Sequence, residues 1–169
     1  MVPLGRLHMR PFQWHLRKHW GFPQALNTII PWDLSIKAQV EWWADESNIL
    51  KGAPLPPKDH MISIYTDASN VGWGAQSGDL SVKGLWSERE RDLHINVLEL
   101  KAVLFSLQKL HSLCQGKDVL IVTDNSSVVA YINKQGGTRS AQMYALLWRL
   151  MTWCTHHQVS IKARHIPVA

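Results

Sequence analysis

Three acidic residues of this 169-residue chain stand where a fold can gather them: Asp67 closes the run SIYTD, Asp124 closes DVLIVTD, and Glu99 lies in HINVLELKA. If the two runs are neighbouring parallel strands, both aspartates emerge beyond the carboxyl ends of the sheet, where open α/β sheets hold ligands. A helix crossing the sheet can aim Glu99 into the same crevice. Three ionised carboxylates that close repel one another, which raises at least one pKa unless a cation is bound. Oxygen donors suit magnesium. Two such ions about 3.5–4 Å apart can position a phosphodiester, generate the attacking hydroxide and stabilise the leaving oxygen. Local roles compete with this chemistry. Asp67 can start a turn, Asp124 in DNSS can cap the next helix, and Asn96 as an N-cap would make Glu99 the third helical residue of a capping box. His94, His156, His157 and His165 are available as proton carriers or phosphate neighbours, and spacing selects none of them.

The elements that must position these acids follow from periodicity and turn residues. ISIYTD alternates its faces, VGWGAQ is a glycine-containing strand, and SVKGLWS follows an SGD turn, so three short strands form an antiparallel hairpin and its neighbour. Val97 to Leu113 is expected to be one helix, with a broad stripe of Leu100, Val103, Leu104, Leu107 and Leu110. DVLIVTD is a buried strand. Helices are expected over Ser126–Lys134 and Ser140–Trp153, and QVSIKARHI is the last strand. This order predicts an α/β fold, a mixed sheet with helical covers.

Composition shifts at KGAPLPPKDH, Lys51 to His60, where three prolines and a glycine argue against a continuous helix or central strand. The expected division is 1–58 and 59–169. Five of the nine tryptophans, Trp14, Trp20, Trp32, Trp42 and Trp43, precede it. MRPFQWHLRKHW reads as a short amphipathic helix in which packing competes with phosphate contact by Trp14, Arg17 and Lys18. SIKAQVEWWADE places Ile36, Val40 and Trp43 on one face, so the early segment reads as an extension that docks on something else.

A net charge of +5 favours an anionic partner without naming it. No uncharged run reaches the 18 or so residues that cross a bilayer, and no apolar run follows Arg6, Arg10, Arg17 and Lys18 as in a signal peptide. The expectation is a soluble, cytoplasmic or nuclear protein without a membrane partner. Cys114 and Cys154 are too few for a disulfide scaffold or zinc cluster and read as buried thiols.

YTDASNVGWGA, HINVLELKAV, TDNSSVVAYINKQGG and ARHIP, in this order, closely resemble the ribonuclease H domain of a retroelement reverse transcriptase, most like the tyrosine-recombinase retrotransposon type. The resemblance covers roughly residues 61 to 167, and residues 1–58 resemble the connection that follows a polymerase domain. It implies a ribonuclease-H-like fold, magnesium dependence and endonucleolytic hydrolysis of RNA in RNA:DNA hybrids. It also implies catalytic and metal-binding roles for Asp67, Glu99 and Asp124, and a polymerase region or other protein as partner. Hybrid recognition would rest on backbone shape, phosphates and RNA hydroxyls. Asn70, Asn96, Asn125, Lys134, Gln135 and Arg139 are the expected contacts, with ordinary surface structure as the competing role. The family carries a later acid on a terminal helix after a HIPG-like turn. Here the sequence reads HIPVA, and no Asp or Glu follows Asp124. The expectation is a fold lacking the terminal helix and weak or no nuclease activity in the isolated chain, with a non-catalytic nucleic-acid-binding or protein-interaction remnant as the alternative.

Overall fold

The computed structural model describes residues 2–21, 23–52 and 61–167. They fall into two compact units, one within Met1–Leu55 and Gly137–Arg139, the other within Pro56–Gly136 and Ser140–Ala169. The proline-rich boundary at 53–60 and Val168 lie outside the described residues.

The first unit holds helices α1 (Gly5–His19), α2 (Leu34–Ala44) and α3 (Glu46–Leu50). Asp33 caps α2 through the Ile36 amide, and Asp45 caps α3 through Ser47. The expected inward face of α2 is corrected at one position: Ile36 is buried, but Val40 is exposed. Gln39 takes the inward place instead, bonding His8 Nδ1 at 2.9 Å, while the His8 ring stacks on Trp42 at 3.6 Å.

The second unit holds strands β1 (Met61–Ala68), β2 (Gly72–Ser77) and β3 (Leu80–Leu85), then helices α4 (Glu88–Arg91), α5 (Ile95–Lys109) and α6 (His111–Cys114). Strand β4 (Asp118–Thr123), helices α7 (Ser126–Asn133) and α8 (Ala141–His156), and strand β5 (Ser160–His165) follow. The five strands form one mixed sheet in the order β3-β2-β1-β4-β5. β1 is antiparallel to β2 and parallel to β4, and β4 is parallel to β5. The crossover between β1 and β4 carries α5, as a parallel neighbour requires.

Alternation sorts the sheet faces. Ile64, Thr66, Val119 and Ile121 are buried, as are Leu98, Leu100, Val103 and Leu107 of α5 and Leu147 and Leu150 of α8. Tyr65 and Asp67, one step out of phase on β1, are exposed. Ser87 and Glu90 close a capping box that forms α4, and Glu90 also pairs with Lys101 at 2.5 Å. The single helix expected over Val97–Leu113 is two helices, because Leu110 leaves helical geometry at φ −96°, ψ 23°. At the β5 edge, Asn133 acts as a surrogate peptide group. Its amide donates to the Ala163 carbonyl and accepts from the Ala163 N–H, both at 2.8 Å, which covers part of an edge open to another strand. Both cysteines are free and buried, and burial pushes the Cys154 thiol up to about 12.

Candidate active site

Strand pairing does the first part of the assembly. Tyr65 is registered with Val122 across the parallel β1–β4 pair, so Asp67 and Asp124 leave the sheet side by side at its carboxyl end. Glu99 arrives from α5, which crosses beneath β1. Its Oε1 accepts the Ala68 N–H at 3.3 Å, anchoring it to the strand that carries Asp67. One carboxylate oxygen from each of Asp67, Glu99 and Asp124 lies within 4.8 Å of the others. The aspartates are exposed and Glu99 is 4% exposed, so the cluster has a buried base and an open rim.

Local capping fixes both carriers, and here two of the competing local roles fall away. The N-cap of α5 is His94, whose Nδ1 accepts the Asn96 N–H at 3.1 Å; Asn96 is not the cap. Glu99 is then past the third helical position, and its side chain goes to Ala68 rather than back into a capping box. Asp124 does not cap α7 either. Asn125 does, accepting the Val128 N–H at 3.1 Å, which leaves the Asp124 carboxylate to the crevice. Asn125 Nδ2 also donates to Asn96 Oδ1 at 2.9 Å, tying the start of α7 to the start of α5. From β5, His165 Nε2 donates to the Asp124 carbonyl at 2.9 Å.

The electrostatics follow from this arrangement. Burial pushes the Glu99 carboxyl up to about 7; the Asp67 and Asp124 charges add to the rise and the Ala68 N–H opposes it. Its Oε2 is buried without a hydrogen-bond partner. A buried, unpartnered carboxylate oxygen beside two exposed carboxylates is the donor set of a hard divalent cation, and protonation is its alternative. These three residues fit a bound divalent cation. Among the described residues no other group of three or more His, Cys, Asp and Glu could hold a metal.

Asp67 opens onto two grooves. One, of about 670 Å³, is lined by Tyr65, Asp67, Gly74, Lys83, Val122 and Asp124 among others. The other, of about 640 Å³, runs past Asp67, Gly72, Gly74, Lys83 and Leu85. Lys83 lies in both, and sequence reasoning missed it. The signal was the register, Asp67 opposite Gly74 and Gly74 opposite Lys83, which puts all three on one face.

The sequence matches the RNase H-like domain found in reverse transcriptase over residues 58–155. The chain belongs to that family. Its solved structural relatives include LC11-RNase H1, crystallised with an RNA/DNA hybrid, at TM-score 0.53 and 17% identity, over 63% of this chain and 85% of that one. RNase H1 of the archaeon Halobacterium salinarum aligns at TM-score 0.50 and 18% identity, over 64% and 86% of the two chains. The N-terminal RNase H domain of a Mycobacterium tuberculosis protein aligns at 0.50 and 15% identity, over 64% and 88%. At these identities the likeness establishes the fold, a five-stranded mixed sheet with flanking helices. A search of curated protein sequences returns no match.

Within this RNase H-like domain the expected contact residues divide. Asn96 and Asn125 are engaged with each other beside the carboxylates. Asn70 is exposed in the turn after β1. Lys134, exposed, ends α7, and Gln135 follows with a left-handed φ of 52°. Arg139 is exposed within the segment Gly137–Arg139 that groups with the first unit. The remaining histidines stand apart from the cluster: His157 stacks on Trp153 at 4.2 Å and bonds the Trp153 carbonyl, with His156 beside it.

Proposed function

We propose that this RNase H-like domain is a magnesium-dependent endonuclease that hydrolyses the RNA strand of RNA:DNA hybrids, as part of a retroelement reverse transcriptase of the tyrosine-recombinase retrotransposon type. The observation that carries the reading is the convergence of Asp67, Glu99 and Asp124 within 4.8 Å at the mouth of an open crevice. Family membership supports it, and so does LC11-RNase H1, a protein of the same fold seen with an RNA/DNA hybrid. Residues 1–58 would be connection-like, facing a polymerase region, and 59–169 the nuclease domain. The cytoplasm or nucleus is the compartment this substrate implies.

Asp67 and Asp124 would hold the cation at the rim, and Glu99 would hold it from below through its unpartnered Oε2. When bound, magnesium neutralises phosphate charge and lowers the pKa of water. The Ala68 N–H keeps Glu99 aimed upward, and the Asn125–Asn96 bond and His165 keep Asp124 beside it. Among the described residues, these three carboxylates are the group that would hold the metal.

The test is cleavage of an end-labelled RNA:DNA hybrid in magnesium, beside Asp67→Asn and duplex DNA. Cleavage of the RNA strand that disappears in Asp67→Asn supports the reading. Tight hybrid binding with no cleavage by the native chain would replace it with a non-catalytic binding module.

A further inference from the structure

We propose that Lys83 binds a phosphate of the nucleic-acid strand that enters the crevice, holding it across a glycine-floored lane that leads away from the carboxylates. The proposal rests on the nucleic-acid reading above and goes beyond it by assigning a substrate path and a residue.

The lane is built by register. Asp67 on β1 pairs with Gly74 on β2, and Gly74 pairs with Lys83 on β3. Paired residues share a face, so an acid and a base look out over the same surface with only a hydrogen between them. Two strand spacings of about 4.8 Å separate their backbones by about 10 Å. Any side chain at position 74 would stand in that gap. Gly72, two residues before Gly74, shares this face, so bare backbone continues one step along β2, whereas Gly84 pairs with Trp73 and faces the core.

The two grooves, about 670 and 640 Å³, meet where Asp67 and Lys83 face each other. Among the described residues Lys83 is the one cationic residue lining either groove. A polyanion reaching the carboxylates meets repulsion from all three unless metal is bound, and Lys83 supplies attraction along one approach. An ammonium on a flexible stem suits a phosphate as a point charge without fixed geometry.

The competing role is edge protection, since β3 is an outer strand and exposed lysines discourage strand-to-strand association. That role needs a charge somewhere on β3. It does not need the charge opposite Asp67, on both grooves, with glycine between.

The experiment measures binding of the full chain to a fluorescent RNA:DNA hybrid by anisotropy in EDTA, across a salt series, for native, Lys83→Ala, Lys83→Arg and Lys117→Ala. Lys117 is exposed beyond α6 and controls for the same loss of charge. Lys83→Ala is expected to weaken binding several-fold and to lower the log–log salt slope by about 1, the signature of one lost phosphate contact. Lys83→Arg is expected to restore both, and Lys117→Ala to change neither. In magnesium, Lys83→Ala should raise KM and leave kcat. Equal behaviour of Lys83→Ala and Lys117→Ala overturns the proposal, as does self-association of Lys83→Ala with unchanged hybrid affinity. Absent cleavage with Lys83-dependent binding defeats only the nuclease reading. Normal cleavage with Lys83-independent binding defeats only this one.

Discussion

Asn125 Nδ2 lies 2.9 Å from Asn96 Oδ1, joining the residue that follows Asp124 to the first turn of the helix that carries Glu99. Two carboxylate carriers from different elements are thereby held by one amide–amide bond. Asn125 has a second duty as the α7 cap. Asn96→Ala should therefore cost about 1 kcal/mol of stability and Asn125→Ala about 2 kcal/mol. A double-mutant cycle should return a coupling above about 0.5 kcal/mol, and both variants should bind magnesium more weakly. Additive losses in denaturant unfolding would mean that the bond does not couple the two helices.

Glu99 makes stability of the metal-free domain depend on pH in an uncommon direction. Its carboxyl is raised from 4.5 to about 7. The folded state thus binds the proton more tightly than the unfolded chain, so its contribution is full below about pH 4.5 and is lost as pH rises through 7. Glu99→Gln should stabilise the metal-free chain at pH 8 by roughly 2 kcal/mol, with the gain vanishing near pH 4.5. Thermal unfolding from pH 4.5 to 8 in EDTA measures this. A native midpoint as insensitive to pH as that of Glu99→Gln would contradict it.

Magnesium should reverse that loss by neutralising the ionised carboxylate, and below pH 7 it should displace the proton. At a concentration tenfold above Kd the native chain should gain about 1.4 kcal/mol, a gain absent in Asp67→Asn and Asp124→Asn. Calorimetry below pH 7 in buffers of different ionisation enthalpy should show proton release on binding. Equal metal-induced shifts in native and Asp67→Asn chains would place the cation elsewhere.

The glycines of the β2–β3 hairpin are not interchangeable. A Cβ at Gly72 would lie 2.5 Å from the Gly84 carbonyl oxygen, and one at Gly84 would lie 2.7 Å from Trp73 Nε1. At Gly74 the nearest atom is the Val82 carbonyl oxygen at 3.9 Å. Gly72→Ala and Gly84→Ala should each cost about 1–3 kcal/mol, and Gly74→Ala less than about 1 kcal/mol. Urea midpoints rank them, and a loss at Gly74 equal to that at Gly72 would refute the assignment.

The strands and the three acids were legible because their signals are local. An apolar run ending in aspartate reads the same before and after pairing, and the α5 stripe survives as buried Leu100, Val103, Leu104 and Leu107. What could not be read depended on who claims a polar group first. Asn96 looks like a cap, but His94 takes that place two residues earlier and Asn125 takes its side chain. Val40 fits the apolar spacing of α2, yet Gln39 is drawn inward by His8, a partner 31 residues away. Lys83 was invisible because its relation to Asp67 exists only in the hairpin register. Ser87 to Glu90 was readable as a capping box, and its four-residue helix was overlooked because no apolar periodicity accompanies it.

The parallel pairing of β1 with β4 also decides when during folding the cation can act. Asp67 and Glu99 can meet once the hairpin strands and α5 have docked, but Asp124 joins them only after a long loop has closed. Pairings of that span form slowly and late. A bound cation would then be a ligand of the finished fold and not a seed for it. It should slow unfolding while leaving the folding rate unchanged, so the loaded domain gains persistence without folding any faster.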